Sequence, residues 1–362
     1  MRYVSPPTTE AVLAALAQII DPDLGRDVVS LGMIKELNIS PQGEVAFKFE
    51  LTTPACPVRD RFKTQAIDAV QALPGTTRVE VEMTAQVRSG IPRPKAVVQL
   101  PEVKQVIAVA SGKGGVGKST VAVNLATALA TSGAAVGLLD ADIYGPSIPG
   151  MTGTHGQPVV REKRLIPPIA HGVKLMSLGL LADAEKAMVW RGPMVSKAIQ
   201  QMAGDVQWGA LDYLIIDLPP GTGDASLTVA QALPLAGVVI VATPQDIALG
   251  IAVKALKMFR TLKTPIVGLV ENMSWFICPT CNDQHHIFGE GQVEQEAERL
   301  GVAYLGAVPL DPRIGQAADQ GLPIVISHPE SVGATAFGKI AGQVAANLSI
   351  HSHRQLPVLN AV

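Results

Sequence analysis

The 362 residues exceed one ordinary domain and predict two. With 48% hydrophobic and 17% charged residues, the composition supports large cores and excludes extensive disorder. A formal net charge of −2, with no Lys/Arg run, argues against a nucleic-acid binder. The N-terminus lacks a signal-type apolar stretch, and the run Ala236 to Ala242 is far too short to span a bilayer. A cytoplasmic protein without membrane contact is expected. Three cysteines, Cys56, Cys278 and Cys281, are too few for a disulfide framework and direct attention to metal or redox chemistry.

Taken in chain order, the first region is a small α+β module over residues 1–88. Thr9 to Ile20 has helical apolar spacing, with Thr8 or Thr9 as N-cap. Val45 to Leu51 alternates like a strand, Arg61 to Leu73 returns to helical spacing, and Thr77 to Met83 alternates again. Prolines and a glycine mark residues 89–102 as a linker.

From Val103 to about residue 350, apolar β-rich runs alternate with helical segments. The runs are Val106 to Ala110, Val136 to Asp140, Tyr213 to Asp217, Val238 to Ala242, Ile266 to Asn272 and Tyr304 to Val308. They lack in/out alternation, as strands buried on both faces of a parallel sheet do. Lys118 to Thr131 and Leu249 to Leu262 supply crossover helices. The expected fold is α/β, a doubly wound, mostly parallel sheet. Residues 351–362 are expected to be a flexible tail, broken by Pro357.

Gly112-Lys113-Gly114-Gly115-Val116-Gly117-Lys118-Ser119-Thr120 fits the phosphate-loop pattern G-x-x-x-x-G-K-[ST], between a predicted strand and helix. Its glycines let backbone N–H groups turn inward on phosphate oxygens, and the helix N-terminus adds partial positive charge. Lys118 is expected at the β- and γ-phosphates and Ser119 on Mg²⁺. Leu214-Ile215-Ile216-Asp217 is an apolar strand ending in an acid, so Asp217 is the second Mg²⁺ candidate. A glycine of Pro219-Pro220-Gly221-Thr222-Gly223 is placed to offer its N–H to the γ-phosphate. Asp140 and Asp142 also end a strand. Asp140 belongs either near the Mg²⁺ shell or to a turn as a cap.

Cys278-Pro279-Thr280-Cys281 leaves three readings open. One is a thioredoxin-like redox pair, which needs a different fold. Another is a zinc site completed by His285 and His286. The third is an iron–sulfur cluster, which needs about four thiolates and is satisfied by 2 + 2 from a symmetric dimer. Cys56 precedes a helix in a turn-like setting, where either a lowered pKa with transient metal binding or simple packing is expected.

Lys113, directly after the first glycine, resembles the deviant phosphate loop of the MinD/ParA/nitrogenase-iron-protein class. That resemblance implies a face-to-face homodimer in which Lys113 reaches the partner's nucleotide. It also implies that Asp142 orients the attacking water and that Asn272 reads adenine. The larger set adds Asp140 to Ser147, Arg191-Gly192-Pro193, Asp217 to Asp224, Glu271 to Ser274, and Cys278 to Cys281. It resembles the Mrp/ApbC family of iron–sulfur cluster carrier ATPases from about Val103 to Pro323. The family implies a homodimer that hydrolyses ATP, binds a [4Fe–4S] cluster bridged at Cys278 and Cys281, and delivers it to apo-proteins with assembly factors as partners. Asp21 to Gly25, Asp27 to Gly32 and Leu51 to Pro57 resemble the SufT-like assembly module. The resemblance leaves His285 and His286 without roles. Two rivals remain. One is a zinc-stabilised P-loop ATPase without cluster transfer; the other is a MinD/ParA-like spatial-organising ATPase switch, which leaves the C-x-x-C unexplained.

Overall fold

The computed structural model describes residues 5–89, 97–143, 145–181, 192–278, 280–281 and 283–354. Tyr144, Arg191 and Pro279, residues 90–96 of the predicted linker, and residues 355–362 of the predicted tail lie outside the described residues. The chain divides into two compact units, residues 1–88 with 349–362, and residues 89–348.

In the small unit, Thr8 caps helix α1 (Thr9–Leu16) by accepting the Ala11 N–H at 3.2 Å. Strand β1 (Ile34–Ile39) pairs antiparallel with β2 (Glu44–Leu51). Helix α2 (Arg59–Gln71) then carries the chain over to β3 (Arg78–Ala85), which lies parallel to β2. Val45, Phe47, Phe49 and Leu51 alternate inward along β2 and meet Phe62, Ala66 and Val70 of α2. Phe49 stacks on Phe62 with ring centroids 5.4 Å apart, worth about 0.5–1.5 kcal/mol beyond the area buried.

The large unit opens on β4 (Val103–Ser111), followed by α3 (Lys118–Thr131), β5 (Val136–Asp140), β6 (Ile169–Ala170) and β7 (Val173–Ser177). Next come β8 (Leu211–Asp217), α4 (Asp224–Ala232), β9 (Gly237–Ala242), α5 (Asp246–Thr261) and β10 (Ile266–Glu271). A two-strand ribbon, β11 (Phe276–Ile277) with β12 (Gln284–His285), precedes α6 (Gln292–Leu300), β13 (Tyr304–Ala307), α7 (Pro312–Asp319) and α8 (Val332–Arg354). The main sheet runs β6-β7-β5-β8-β4-β9-β10-β13, and every pairing is parallel except β6 with β7. Ile107 of β4, Ile215 of β8 and Ile240 of β9 are fully buried, as strands covered on both faces require.

Two segments differ from expectation. Val98, in the predicted linker, is buried in the large unit's core, and its N–H donates to the Ala232 carbonyl at 3.0 Å. Residues 351–354, predicted as tail, continue α8. Leu348 and Ser352 are buried on that helix, and the only strong breaker, Pro357, lies beyond it.

Candidate functional site

The site assembles where β4, β5, β8, β9 and β10 end, at the C-terminal edge of the sheet, the usual ligand edge of an open α/β fold. The loop after β4 turns at Gly115 and Gly117, both with φ +81°, which a side chain rarely adopts. Gly112 is required sterically as well: a Cβ there would lie 2.5 Å from the Ile251 carbonyl carbon. Gly117 leads into α3, and no side chain caps that helix, so its first-turn N–H groups stay available to an anion. The loop's Gly114 and Gly115 are exposed, Lys113 and Thr120 are half-buried, and Val116 is buried.

Lys118 is buried, and its ammonium donates to Asp217 Oδ1 at 2.5 Å and to Ser119 Oγ at 3.3 Å. Ser119 Oγ donates to Asp217 Oδ2 at 2.6 Å. Asp217 is wholly buried, and burial raises its pKa against the opposing pull of Lys118 and Ser119. The hydroxyl and carboxylate form a pair of hard oxygen donors beside the phosphate loop, which suits Mg²⁺.

Asp140 lies opposite Asp217 across the β5–β8 pairing. Its oxygens accept from the Asp142 N–H at 3.1 Å, Ser177 Oγ at 3.0 Å and the Ile148 N–H at 3.4 Å. Burial first, and then the Asp217 carboxylate, push its pKa to about 7. Of the two expectations for Asp140, the cap is the one its hydrogen bonds display. Asp142 is half-buried on the loop that Asp140 pins. In the loop after β8, the Gly221 N–H donates to the Ser111 carbonyl at 2.9 Å, which leaves Gly223 as the glycine without that commitment.

Asn272 lies buried at the end of β10, and its Nδ2 donates to the Val116 carbonyl at 2.8 Å. This contact with the phosphate loop is additional to the purine role expected for it. Glu271 beside it is also buried, accepting from Ser274 Oγ and from the Val293 N–H at 3.1 Å. The two adjacent residues anchor the start of the segment that leads to the cysteine ribbon.

That ribbon pairs Phe276 with His285 and Ile277 with Gln284, and the Cys278 N–H closes it on the Asp283 carbonyl at 3.0 Å. Cys278 and Cys281 therefore sit in its tip, half-buried and exposed respectively. Backbone N–H groups of Cys281 and Thr280 donate to Cys278 and hold its thiol below the ordinary range. The expected zinc set is not the one assembled. His286 Nε2 lies 3.2 Å from Gln284 Nε2 and 3.5 Å from Glu290 Oε1. Cys281, Asp283 and His285 come together instead. Asp283 is not among the ligands expected from sequence; it comes beside Cys281 and His285 where the two strands of the ribbon pair.

Cys56 also departs from one expectation. Burial pushes its thiol pKa up, and Asp21 and Asp23 push the same way, so it is not activated. It packs against the core of the small unit.

A Gly-rich strand-to-helix loop, an uncapped helix N-terminus, a buried Lys118 and a strand-end Asp217 together define a P-loop NTPase. Residues 102–345 match the family model described as NUBPL iron-transfer P-loop NTPase, and residues 9–83 match the one described as iron-sulfur cluster assembly protein. The iron-sulfur cluster carrier protein of Synechocystis sp. is 48% identical over 351 residues, spanning 95% of this chain and 98% of that protein. The protein of the same description from Deinococcus radiodurans is 48% identical over 354 residues, spanning 96% and 98%. Among solved structures, a nucleotide-binding protein from Archaeoglobus fulgidus in complex with ADP, with Co found in it, is 41% identical. It covers 61% of this chain and 87% of its own, with a TM-score of 0.55. The chain belongs to the NUBPL iron-transfer P-loop NTPase family, in the arrangement with an N-terminal iron–sulfur assembly domain.

Proposed function

We propose that this chain is an ATP-hydrolysing carrier that binds an iron–sulfur cluster and passes it to apo-proteins. One observation carries the reading: a complete phosphate loop and the ribbon tip bearing Cys278 and the exposed Cys281 stand at the two ends of one short segment, Asn272 to Cys278. The cluster-carrier descriptions of its relatives support the same reading.

The cargo is a [4Fe–4S] cluster bridged by Cys278 and Cys281 of two subunits, because one chain offers two thiols at the tip and such a cluster takes four. The homodimer closes across Lys113, whose ammonium meets the partner's nucleotide. Delivery is ligand exchange without net redox change. An acceptor thiol bonds iron as a carrier Cys–Fe bond breaks, and its proton passes to the departing thiolate.

ATP lies along Gly112 to Thr120, with phosphate oxygens on the first-turn N–H groups of α3. Asn272 keeps one N–H and its Oδ1 for the purine edge. Mg²⁺ held by Ser119 Oγ and Asp217 neutralises charge on the β- and γ-oxygens. Lys118 neutralises the charge that develops on transfer, and Asp142 orients the attacking water. Among the described residues no helix is long and apolar enough to cross a membrane. A cytoplasmic setting suits the reduced thiols that the cargo requires.

The test is anaerobic cluster reconstitution of wild type and of the double variant Cys278→Ser/Cys281→Ser, followed by transfer to an apo-acceptor. Wild type should hold one [4Fe–4S] cluster per dimer and release it faster with MgATP. A double variant that loads and transfers equally well would refute the carrier assignment.

A further inference from the structure

Cys281 lies in the turn of the ribbon, Asp283 just before the returning strand β12, and His285 within that strand. The Cys281 Sγ, a carboxylate oxygen of Asp283 and a ring nitrogen of His285 all lie within 4.8 Å of one another, and all three residues are exposed. Ligands about 2.0–2.3 Å from a tetrahedral ion stand about 3.5 Å apart, so side-chain rotation of roughly an ångström closes the group on an ion. The backbone already holds the spacing, through the Cys278 N–H bond to the Asp283 carbonyl.

We propose that this group is a second metal site, complete within one subunit, taking a single first-row divalent transition ion through Cys281, Asp283 and His285. Thiolate and imidazole select iron, cobalt or zinc over magnesium and calcium, and the carboxylate adds a harder donor that tolerates Fe²⁺. Three protein ligands leave a fourth position open to water or to an incoming group, the arrangement of an exchanging site rather than a structural one. Binding displaces the Cys281 thiol proton to solvent. Cys278 is not one of the three grouped ligands, although its thiol is hydrogen-bonded to that of Cys281. The site goes beyond the bridged-cluster reading and does not require it. The two share Cys281, so an ion in this group withholds that thiolate from a cluster. A single chain then holds one metal ion, and the dimer holds the cluster.

Anaerobic titration of the full chain with Co²⁺ tests this, because thiolate-to-cobalt charge transfer counts sulfur ligands and d–d band intensity reports tetrahedral geometry. The expected result is one Co²⁺ per chain with one thiolate ligand. Asp283→Ala and His285→Ala should each weaken Kd at least tenfold, while Cys278→Ser stays within twofold of wild type. Because the three residues are exposed, these variants should fold, which ATP binding checks independently. The bridged-cluster reading is scored separately by cluster reconstitution of the Asp283→Ala/His285→Ala variant, which should load cluster normally. Wild-type Co²⁺ affinity in both single variants, or half an ion per chain that disappears in Cys278→Ser, would overturn the proposal.

Discussion

The side-chain amide of Asn272 donates to the carbonyl of Val116 at 2.8 Å, joining the end of β10 to the phosphate loop across 156 residues of sequence. Cys278 follows six positions later, and Ser274 and Trp275 on the way are held by backbone bonds to Val308 and Leu310. A change in loop geometry at Val116 therefore has a short covalent path to the ribbon tip. Asn272→Ala should leave cluster loading intact and abolish the acceleration of cluster release by MgATP. It should also cost about 1–3 kcal/mol of stability, since the Val116 carbonyl loses its buried donor. Cluster-transfer rates with and without MgATP, beside a denaturant melt, measure both effects. Unchanged acceleration in the variant would break the link.

Lys118 and Asp217 form a buried ion pair, with the carboxylate wholly enclosed. Lys118→Ala removes the compensating charge and should destabilise the protein by about 3–5 kcal/mol near neutral pH. The loss should shrink in acid. The folded-state pKa of Asp217 already lies above the ordinary carboxylate value of 3.8, and removing Lys118 raises it further. The folded state then binds the extra proton, so stability of the variant falls as pH rises. Melting curves of wild type and variant at pH 5.5 and pH 8 should diverge more at pH 8. ATP hydrolysis should be lost at both.

Much of this centre was legible in sequence. Gly112 to Thr120 and the strand-end Asp217 declare their chemistry through local spacing, and strands buried on both faces read as plain apolar runs. Elements whose burial depends on distant partners were not legible. Strand β1, Ile-Lys-Glu-Leu-Asn-Ile, carries adjacent charges at Lys35 and Glu36, and its pairing shifts register between Lys35 and Asn38 with Glu36 at φ +50°. No period of two survives that bulge. Strand β7 is five residues with a lysine inside, and it becomes a strand by lying parallel to β5 and placing Ser177 against Asp140. Asp283 carries no motif signal, because its closeness to Cys281 and His285 arises in the folded ribbon rather than from a spacing pattern.

Asp140 predicts a pH dependence of its own. Its folded-state pKa of about 7 lies well above the ordinary carboxylate value of 3.8, so between those limits the folded state holds a proton that the unfolded chain has lost. Stability from this group is greatest at low pH and declines as pH rises through about 7. Asp140→Asn should flatten that part of the stability profile measured without nucleotide between pH 5 and 8, while still accepting the Asp142 N–H through its amide oxygen. A profile as steep as wild type would place the titration elsewhere.

Gly117 joins backbone strain to the Asn272 contact. A Cβ at this position would lie 2.1 Å from Asn272 Nδ2, and the residue sits at φ +81°. Gly117→Ala therefore carries two separable costs: left-handed backbone, roughly 1–2 kcal/mol, and a steric clash that must displace the Asn272 amide. Asn272→Ala relieves the second cost and leaves the first. A double-mutant cycle should show that Gly117→Ala destabilises less in the Asn272→Ala background than in wild type. ATP affinity should stay impaired in both, because the strained turn still misdirects the phosphate-binding N–H groups. Strict additivity of the two substitutions would mean that the loop avoids the amide by another route.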